Sequence, residues 1–80
     1  MVVTVRYWAG ARAAAGREQE AVEAGTVGEL LTVLGARPDL ARVLTAASLL
    51  VDGEAVRRED TGHELASGMT VDVLPPFAGG

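Results

Sequence analysis

The sequence predicts an α+β roll in which one mixed sheet has its apolar face covered by a helix. Segments with alternating apolar and polar residues stand near both ends of the chain and predict strands. A capped amphipathic segment between them predicts a helix, and an Asp-Gly pair between two further short runs predicts a hairpin. A sheet with one covered face lets all of these elements share a single core.

The opening segment, Val2 to Trp8, alternates with a period of two and predicts a strand. One face carries Val3, Val5 and Tyr7, and the other carries Thr4, Arg6 and Trp8. The alanine-rich stretch from Gly10 to Gly16 predicts about two helical turns, because alanine is the best helix former. A weaker alternation predicts a second strand from Glu18 to Glu23. Its acids, Glu18, Glu20 and Glu23, are interpreted as a solvated face, with attraction to a basic partner as the alternative.

The main helix is predicted to begin at a capping box formed by Thr26 and Glu29. Its apolar residues recur at i, i+3, i+4 and i+7 and form one stripe: Val27, Leu30, Leu31 and Leu34. Gly35 is placed to end the helix. A second helix is predicted from about Pro38 to Ala46, since proline is tolerated in a first turn and a similar apolar spacing follows it.

The hairpin is predicted at Asp52-Gly53, which lies between two apolar runs. Residues 59–68 are polar and irregular, with Leu65 as the expected anchor. The last strand is predicted in "MTVDVLPP", with Val71 and Val73 inward and Asp72 and Leu74 outward. Two prolines, which cannot donate to a strand ladder, end it.

Composition limits the classes of function. The chain has 80 residues, no cysteine and a net charge of −4, and all seven basic residues are arginine. The charge argues against a nucleic-acid partner, and no apolar run approaches the roughly 20 residues of a membrane helix. Without a membrane segment, we expect the protein to be cytoplasmic. Because it has no lysine, it cannot form a Schiff base through lysine, has no phosphate-loop lysine and has no side-chain amine to which another protein could be joined. We divide it into a domain, 1–76, and a flexible functional tail, 77–80.

The candidate catalytic groups form no known constellation. His63 is the only histidine, and neighbouring acids show no metal-ligand spacing. A triad could be drawn from Ser48 or Ser67 with His63 and Asp60, but neither serine stands in a nucleophile elbow. Gly10 to Gly16 lacks the spacing and the lysine of a phosphate loop. We expect no metal and no bound cofactor, so any ATP must be bound by a partner.

Two outward apolar residues, Trp8 and Leu74, are predicted to contact a partner. If their strands are neighbours, they form one exposed patch, and tryptophan is strongly enriched at interface hot spots. The alternative is packing of both side chains against loops or helix ends.

The end of the chain, "LPPFAGG", is the second candidate site. Pro75 and Pro76 favour an extended exit from the sheet, and the last four residues span up to about 13 Å at about 3.3 Å each. Ala78, Gly79 and Gly80 carry almost nothing beyond backbone. They can therefore enter a narrow channel, where the terminal carbonyl is open to attack.

These features together resemble the MoaD/ThiS family of ubiquitin-like sulfur carriers, and most closely its molybdopterin synthase branch. "VTVRYWAGARAAAG" is similar to the family's first strand and helix, "TVGELLTVL" to its main helix, and "LLVDGEAV" to its central hairpin. "LASGMTVDVLPPFAGG" is similar to its closing strand and tail, and that ending is the most specific match. The richness in Ala, Arg and Gly looks closest to actinobacterial members. The resemblance implies the β-grasp fold.

The resemblance also implies a chemistry. An ATP-dependent adenylating enzyme would activate the carboxylate of Gly80, and a sulfurtransferase would supply the sulfur of a thiocarboxylate, with Gly79 giving clearance. The loaded tail would enter the large synthase subunit and donate sulfur to cyclic pyranopterin monophosphate. Trp8 and Leu74 would lie against partners, with Pro75, Pro76, Phe77 and Ala78 leading into the channel.

Two other hypotheses about the function remain open. The chain could carry sulfur for thiamine, cysteine or a thiolated metabolite through the same terminal chemistry. It could also be a non-catalytic β-grasp interaction module with an idle tail.

Overall fold

A computed structural model describes residues 1–76 and confirms the predicted α+β class. Within this range the strands are β1 (Val2–Tyr7), β2 (Gln19–Glu23), β3 (Ser48–Val51), β4 (Glu54–Val56) and β5 (Thr70–Leu74). The helices are α1 (Gly10–Ala15), α2 (Val27–Gly35) and α3 (Pro38–Leu44). Each lies where a segment of the sequence predicts it, with boundaries that differ by a residue or two.

The strands form one mixed sheet in the order β2-β1-β5-β3-β4. β1 and β5 run parallel, with Tyr7 opposite Val73 and Arg6 opposite Asp72, and the other pairs are antiparallel. The strand that ends the domain therefore lies at the centre of the sheet, beside the strand that begins it.

One face of the sheet, the inner face, supplies half of the core. Its apolar residues in β1 and β5 are the ones that alternation predicts: Val3, Val5, Tyr7, Val71 and Val73, each at most 1% exposed. The helices cover this face with a second set of buried residues: Ala11, Val27, Leu30, Leu34, Leu40 and Leu44. Leu31 is only half-buried at the edge of the predicted stripe.

Helix α2 begins with the predicted cap, but its second contact is shifted. The Thr26 hydroxyl oxygen accepts from the Glu29 N–H at 3.1 Å. The Glu29 carboxylate accepts from the Gly25 N–H at 2.6 Å, one residue before the position that a capping box would use. Both contacts satisfy backbone donors at the start of the helix.

Helix α3 ends at Leu44, two residues earlier than predicted. Arg58, from the segment after β4, donates to the Leu44 carbonyl at 2.8 Å and to the Thr45 carbonyl. This guanidinium satisfies carbonyls that the helix end leaves free.

The predicted hairpin joins β3 and β4. Asp52 and Gly53 both have positive φ, at 48° and 83°, as a two-residue hairpin turn requires. The Asp52 carboxylate also accepts from the Thr70 N–H at 2.8 Å, which ties the turn to the start of β5. Residues 59–68 are irregular as expected, and Leu65, 3% exposed, anchors them.

The expectation of a solvated acidic face on β2 is wrong for Glu20. Its carboxylate accepts from the Tyr7 hydroxyl and, at 2.5 Å, from Arg37, and only 14% of its side chain is exposed. Glu18 and Glu23 are exposed, as expected. No helix within residues 1–76 is long and apolar enough to cross a membrane.

Candidate functional site

The two apolar residues predicted to face outward lie at the same end of the two central strands. Trp8 follows β1, and its backbone N–H donates to the Val73 carbonyl of β5 at 3.3 Å. Leu74 is the last residue of β5. Trp8 is 40% exposed and Leu74 is half-buried. The strands are neighbours, as the prediction of one joint patch requires.

A polar cluster lies beside them on the outer face of the sheet, the face opposite the helices. The Arg6 Nε donates to Asp72 Oδ1 at 2.7 Å, and Arg6 Nη2 donates to Asp72 Oδ2 at 3.2 Å. The Trp8 indole N–H donates to Asp72 Oδ1 at 3.0 Å. Asp72 points outward as predicted, yet it is only 7% exposed because Arg6 and Trp8 cover it.

The electrostatics of this cluster favour the charged pair. Hydrogen bonds from Arg6 hold the pKa of the Asp72 carboxyl below its usual value, and the Trp8 hydrogen bond adds to them against the opposing effect of burial. The same hydrogen bond raises the pKa of Arg6. Asp72 is therefore a carboxylate at neutral pH.

Arg6 and Asp72 were placed on the outer faces of their strands but were not predicted as site residues, and nothing was predicted for Leu50. Leu50 lies in β3 directly opposite Asp72 and is half-buried. Its position between the buried Leu49 and Val51 was the signal that could have found it, since alternation turns it outward. We call the set Arg6, Trp8, Leu50, Asp72 and Leu74 the outer patch.

The chain leaves the sheet at the edge of the outer patch, through the two prolines that precede the predicted tail. Pro75 is half-buried, Pro76 is exposed, and neither continues the strand. The predicted site residues Phe77, Ala78, Gly79 and Gly80 lie outside the described residues. The described geometry therefore fixes where the chain leaves the sheet, which is at the end of the central strand and beside Trp8.

The residues considered for catalysis are not brought together. His63 Nδ1 lies 3.7 Å from an Asp60 carboxylate oxygen, but the Ser67 hydroxyl donates to the Met1 sulfur at 3.2 Å. Ser48 lies in β3 opposite Leu74, whereas the His63 carbonyl accepts from Val27 at the start of α2. Residues 1–76 contain no group of three or more His, Asp or Glu side chains that could hold a metal ion.

Comparison with known proteins covers almost the whole chain. The model of the ThiS family matches residues 5–80. The crystal structure of SAMP1 from Haloferax volcanii is 27% identical, with a TM-score of 0.82 and full coverage of both chains. A chain of the complex of subunits 1 and 2 of molybdopterin-converting factor from Helicobacter pylori is 22% identical, with a TM-score of 0.81 and full coverage of both chains.

A third solved structure extends this set. CysO from Mycobacterium tuberculosis is 22% identical, with a TM-score of 0.75 over 91% of this chain and 97% of that one. A comparison with curated protein sequences found no match.

Proposed function

The chain belongs to the ThiS family of ubiquitin-like sulfur carriers, and on that basis we propose that it is the sulfur-carrying small subunit of a molybdopterin synthase. Its fold is the β-grasp that the resemblance implies. The observation that carries the proposal is the position of the outer patch at the root of the tail. A protein that docks on Trp8 and Leu74 also meets the chain where it leaves the sheet.

The proposed chemistry takes place at the last residue of the sequence. A partner enzyme uses ATP to convert the Gly80 carboxylate into a mixed anhydride with AMP, and pyrophosphate leaves. The terminal sulfur of a persulfide on a sulfurtransferase then attacks the anhydride carbonyl and AMP leaves, and a thiol reduces the resulting acyl disulfide to the thiocarboxylate. The anhydride is needed because a carboxylate is a poor electrophile, whereas AMP is a good leaving group. Gly79 and Gly80 have no side chains to obstruct either partner.

The thiocarboxylate sulfur then attacks cyclic pyranopterin monophosphate in the large synthase subunit, and water cleaves the bond between that sulfur and the Gly80 carbonyl, which returns Gly80 to a carboxylate. The Helicobacter pylori structure is a complex of subunits 1 and 2 of molybdopterin-converting factor, which supports a subunit of the second kind as the partner here. The outer patch would bury two apolar side chains and one exposed indole against that partner, the kind of centre that dominates interface energetics.

A carrier for another pathway is the second candidate. It is favoured by the similarity to SAMP1, which at 27% identity exceeds the 22% identity with the Helicobacter pylori chain. The terminal chemistry would be the same, and only the acceptor would differ. A β-grasp interaction module with an idle tail would use the outer patch without Gly80.

Mass spectrometry of the chain isolated from its native host tests whether it carries sulfur. We expect a fraction that is heavier by the difference between sulfur and oxygen, localised to Gly80 by fragmentation. Deletion of Gly80 should abolish this fraction and leave the thermal unfolding of the domain unchanged, because residue 80 lies beyond the last strand. Loading that persists in the deletion variant would show that Gly80 does not carry the sulfur.

Reconstitution distinguishes the pathways. The thiocarboxylate form is mixed with the large synthase subunit from the same genome and cyclic pyranopterin monophosphate, and molybdopterin is measured. A loaded chain that binds no large subunit and forms no molybdopterin would favour a carrier for another pathway. A chain that cannot be loaded by an activating enzyme with ATP and a sulfur source would leave only the interaction module.

Replacement of Trp8 tests the docking surface. Trp8→Ala should weaken binding of the large subunit by more than about 1 kcal/mol if the indole is a hot spot. Val33→Ala is the matched control, because Val33 is 47% exposed on α2, away from the outer patch. Equal affinities of wild type and Trp8→Ala in isothermal titration calorimetry would place docking elsewhere.

A further inference from the structure

Trp8 stands where the strand no longer fixes its side chain. β1 ends at Tyr7, and at Ala9 the backbone turns with a positive φ of 48° toward α1. The backbone of Trp8 is held by its N–H contact to Val73. An exposed indole at such a position would be free to sample several rotamers unless side chains restrain it.

Asp72 supplies one restraint. It lies in the central strand opposite Arg6, and its Oδ1 accepts both the Trp8 indole N–H at 3.0 Å and Arg6 Nε at 2.7 Å. Because the acceptor is an ionised and almost buried carboxylate, these are charge-assisted hydrogen bonds, which are stronger than neutral ones. The nitrogen edge of the indole is therefore fixed to β5.

Arg6 supplies the second restraint. Its guanidinium carbon lies 5.4 Å from the centre of the Trp8 ring, within the range of a cation–π contact. The same guanidinium is paired with Asp72, so its position over the ring is set by the carboxylate. The indole is thus held at its nitrogen edge and approached by a cation, while 40% of the residue stays open to a partner.

We propose that Asp72 is a positioning residue that, together with Arg6, fixes the Trp8 indole on the outer face in the orientation that the large synthase subunit binds. This inference rests on the proposed function. Restraint before binding removes the entropy that an interface side chain otherwise loses on docking. Asp72 also lies two residues before Leu74, so one strand holds the indole and carries the tail into the same partner.

Fluorescence of the free chain tests the restraint. Trp8 is the only tryptophan, so quenching by acrylamide and emission anisotropy report on this side chain alone. Asp72→Ala should raise the quenching constant and lower the anisotropy. The amide oxygen of Asp72→Asn can still accept the indole N–H, so the quenching constant and anisotropy of this variant should lie between those of Asp72→Ala and wild type. Asp39→Ala removes an exposed acid from α3 and should match wild type.

A double-mutant cycle tests whether the restraint serves docking. Asp72→Ala should weaken binding of the large subunit about two- to tenfold, the loss expected when one side chain is no longer held in advance. In a Trp8→Phe background, which keeps an aromatic ring without the N–H donor, the same change should have a much smaller effect. Two changes that act independently would instead multiply.

Three results would overturn the inference. Unchanged quenching in Asp72→Ala would show that the carboxylate does not hold the indole. If Asp72→Ala alters the quenching but leaves the affinity for the large subunit unchanged, the orientation of the indole is irrelevant to docking. The same conclusion follows if the effects of Asp72→Ala and Trp8→Phe on that affinity multiply. A wild-type chain that binds no large subunit would overturn the proposed function and the docking role with it, while the quenching comparison would still decide whether Asp72 holds Trp8.

Discussion

Gly28, in the first turn of α2, lies close to the irregular segment 59–68. Its N–H donates to the Thr61 carbonyl at 2.9 Å, and a Cβ at this position would lie 2.9 Å from Thr61 Cβ and 3.0 Å from that carbonyl oxygen. These distances are too short for carbon atoms, so Gly28→Ala must displace backbone. We expect a loss of about 1–3 kcal/mol in the free energy of unfolding, as for other overpacked sites. Urea unfolding measures it.

Gly35→Ala is the matched control, since it adds the same methyl group at the end of the same helix. No atom outside the immediate chain lies within 4 Å of the added Cβ. Stability should be unchanged or rise by up to about 1 kcal/mol through the lower entropy of the unfolded chain. Equal losses at both positions would mean that Thr61 is not the cause at Gly28.

Protonation of Asp72 should release Trp8 at low pH. The pKa of this carboxyl lies below its usual value of about 3.9. The restraint that the carboxylate places on Trp8 is therefore complete above that pH, and it is lost as the pH falls through the lowered pKa. Arg6 is the charged group that contacts it, and the facing residue on β3 is the apolar Leu50. Acrylamide quenching of Trp8 should rise only below about pH 4. A similar rise in Asp72→Asn would assign the transition to another group.

At the scale of elements, Glu20 and Arg37 link β1 and β2 to the segment between α2 and α3 and to the end of α1. The Glu20 carboxylate accepts from Tyr7 in β1 and from Arg37, between α2 and α3, and Arg37 also donates to the Ala15 carbonyl at the end of α1. Burial would raise the pKa of Glu20, but these hydrogen bonds outweigh it and the pKa is lowered. Burial raises the pKa of the Tyr7 hydroxyl, and its hydrogen bond to Glu20 raises the pKa further, so Tyr7 keeps its proton.

Removal of this carboxylate should loosen the helices from the edge of the sheet. Glu20→Ala leaves the Tyr7 hydroxyl and part of the Arg37 guanidinium without acceptors, and we expect a loss of about 1–3 kcal/mol in unfolding free energy. Glu23→Ala, an exposed change on the same strand, should stay within about 0.5 kcal/mol of wild type. A loss at Glu23 as large as at Glu20 would point to strand propensity as the cause.

The elements that could be predicted are those whose cause is local. The alternation of Val3, Val5 and Tyr7, the Thr26 cap and the Asp52-Gly53 turn each involve residues a few positions apart, and each is present in the structure. The same local logic placed Trp8 and Leu74 on the outer face.

The features that could not be predicted depend on residues far apart in the sequence. Asp72 is covered by Arg6, which lies 66 positions away, and Glu20 is bound by Arg37, 17 positions away. The carbonyls of Leu44 and Thr45 at the end of α3 accept from Arg58, which lies beyond the hairpin. Alternation assigns a face to each of these side chains, but only the sheet order shows which partner meets it.

At the scale of the whole molecule, the parallel pairing of β1 and β5 separates the first residue from the tail. β1 begins beside Met1, whereas β5 ends at Leu74, next to the end of β1. The six residues of β1 put about 20 Å between the Met1 amine and the tail root at about 3.3 Å per residue. No lysine is present in the sequence, so the outer patch and the helices offer no side-chain amine to an activated Gly80.

We therefore expect an activated form of this chain to form no amide through a side chain and not to cyclise through its own Met1, so that only water, a sulfur donor or the Met1 amine of a second copy consumes it. A thioester at Gly80, prepared from an intein fusion, tests this in alkaline buffer. An amide forms only if an amine attacks the carbonyl and the thiol leaves, and arginine stays protonated and cannot do so.

Arg42→Lys supplies the matched comparison, because the Arg42 side chain on α3 is 83% exposed and an amine there can reach the tail of a second chain. On denaturing gels this variant should form covalent dimers in excess of wild type, and peptide mass spectrometry should find the extra linkage at residue 42. Dimers formed at the same rate in wild type and variant would show that an exposed side-chain amine adds nothing to attack by Met1. A chain that behaves as expected keeps its activated end for a partner's acceptor, which is what a carrier requires.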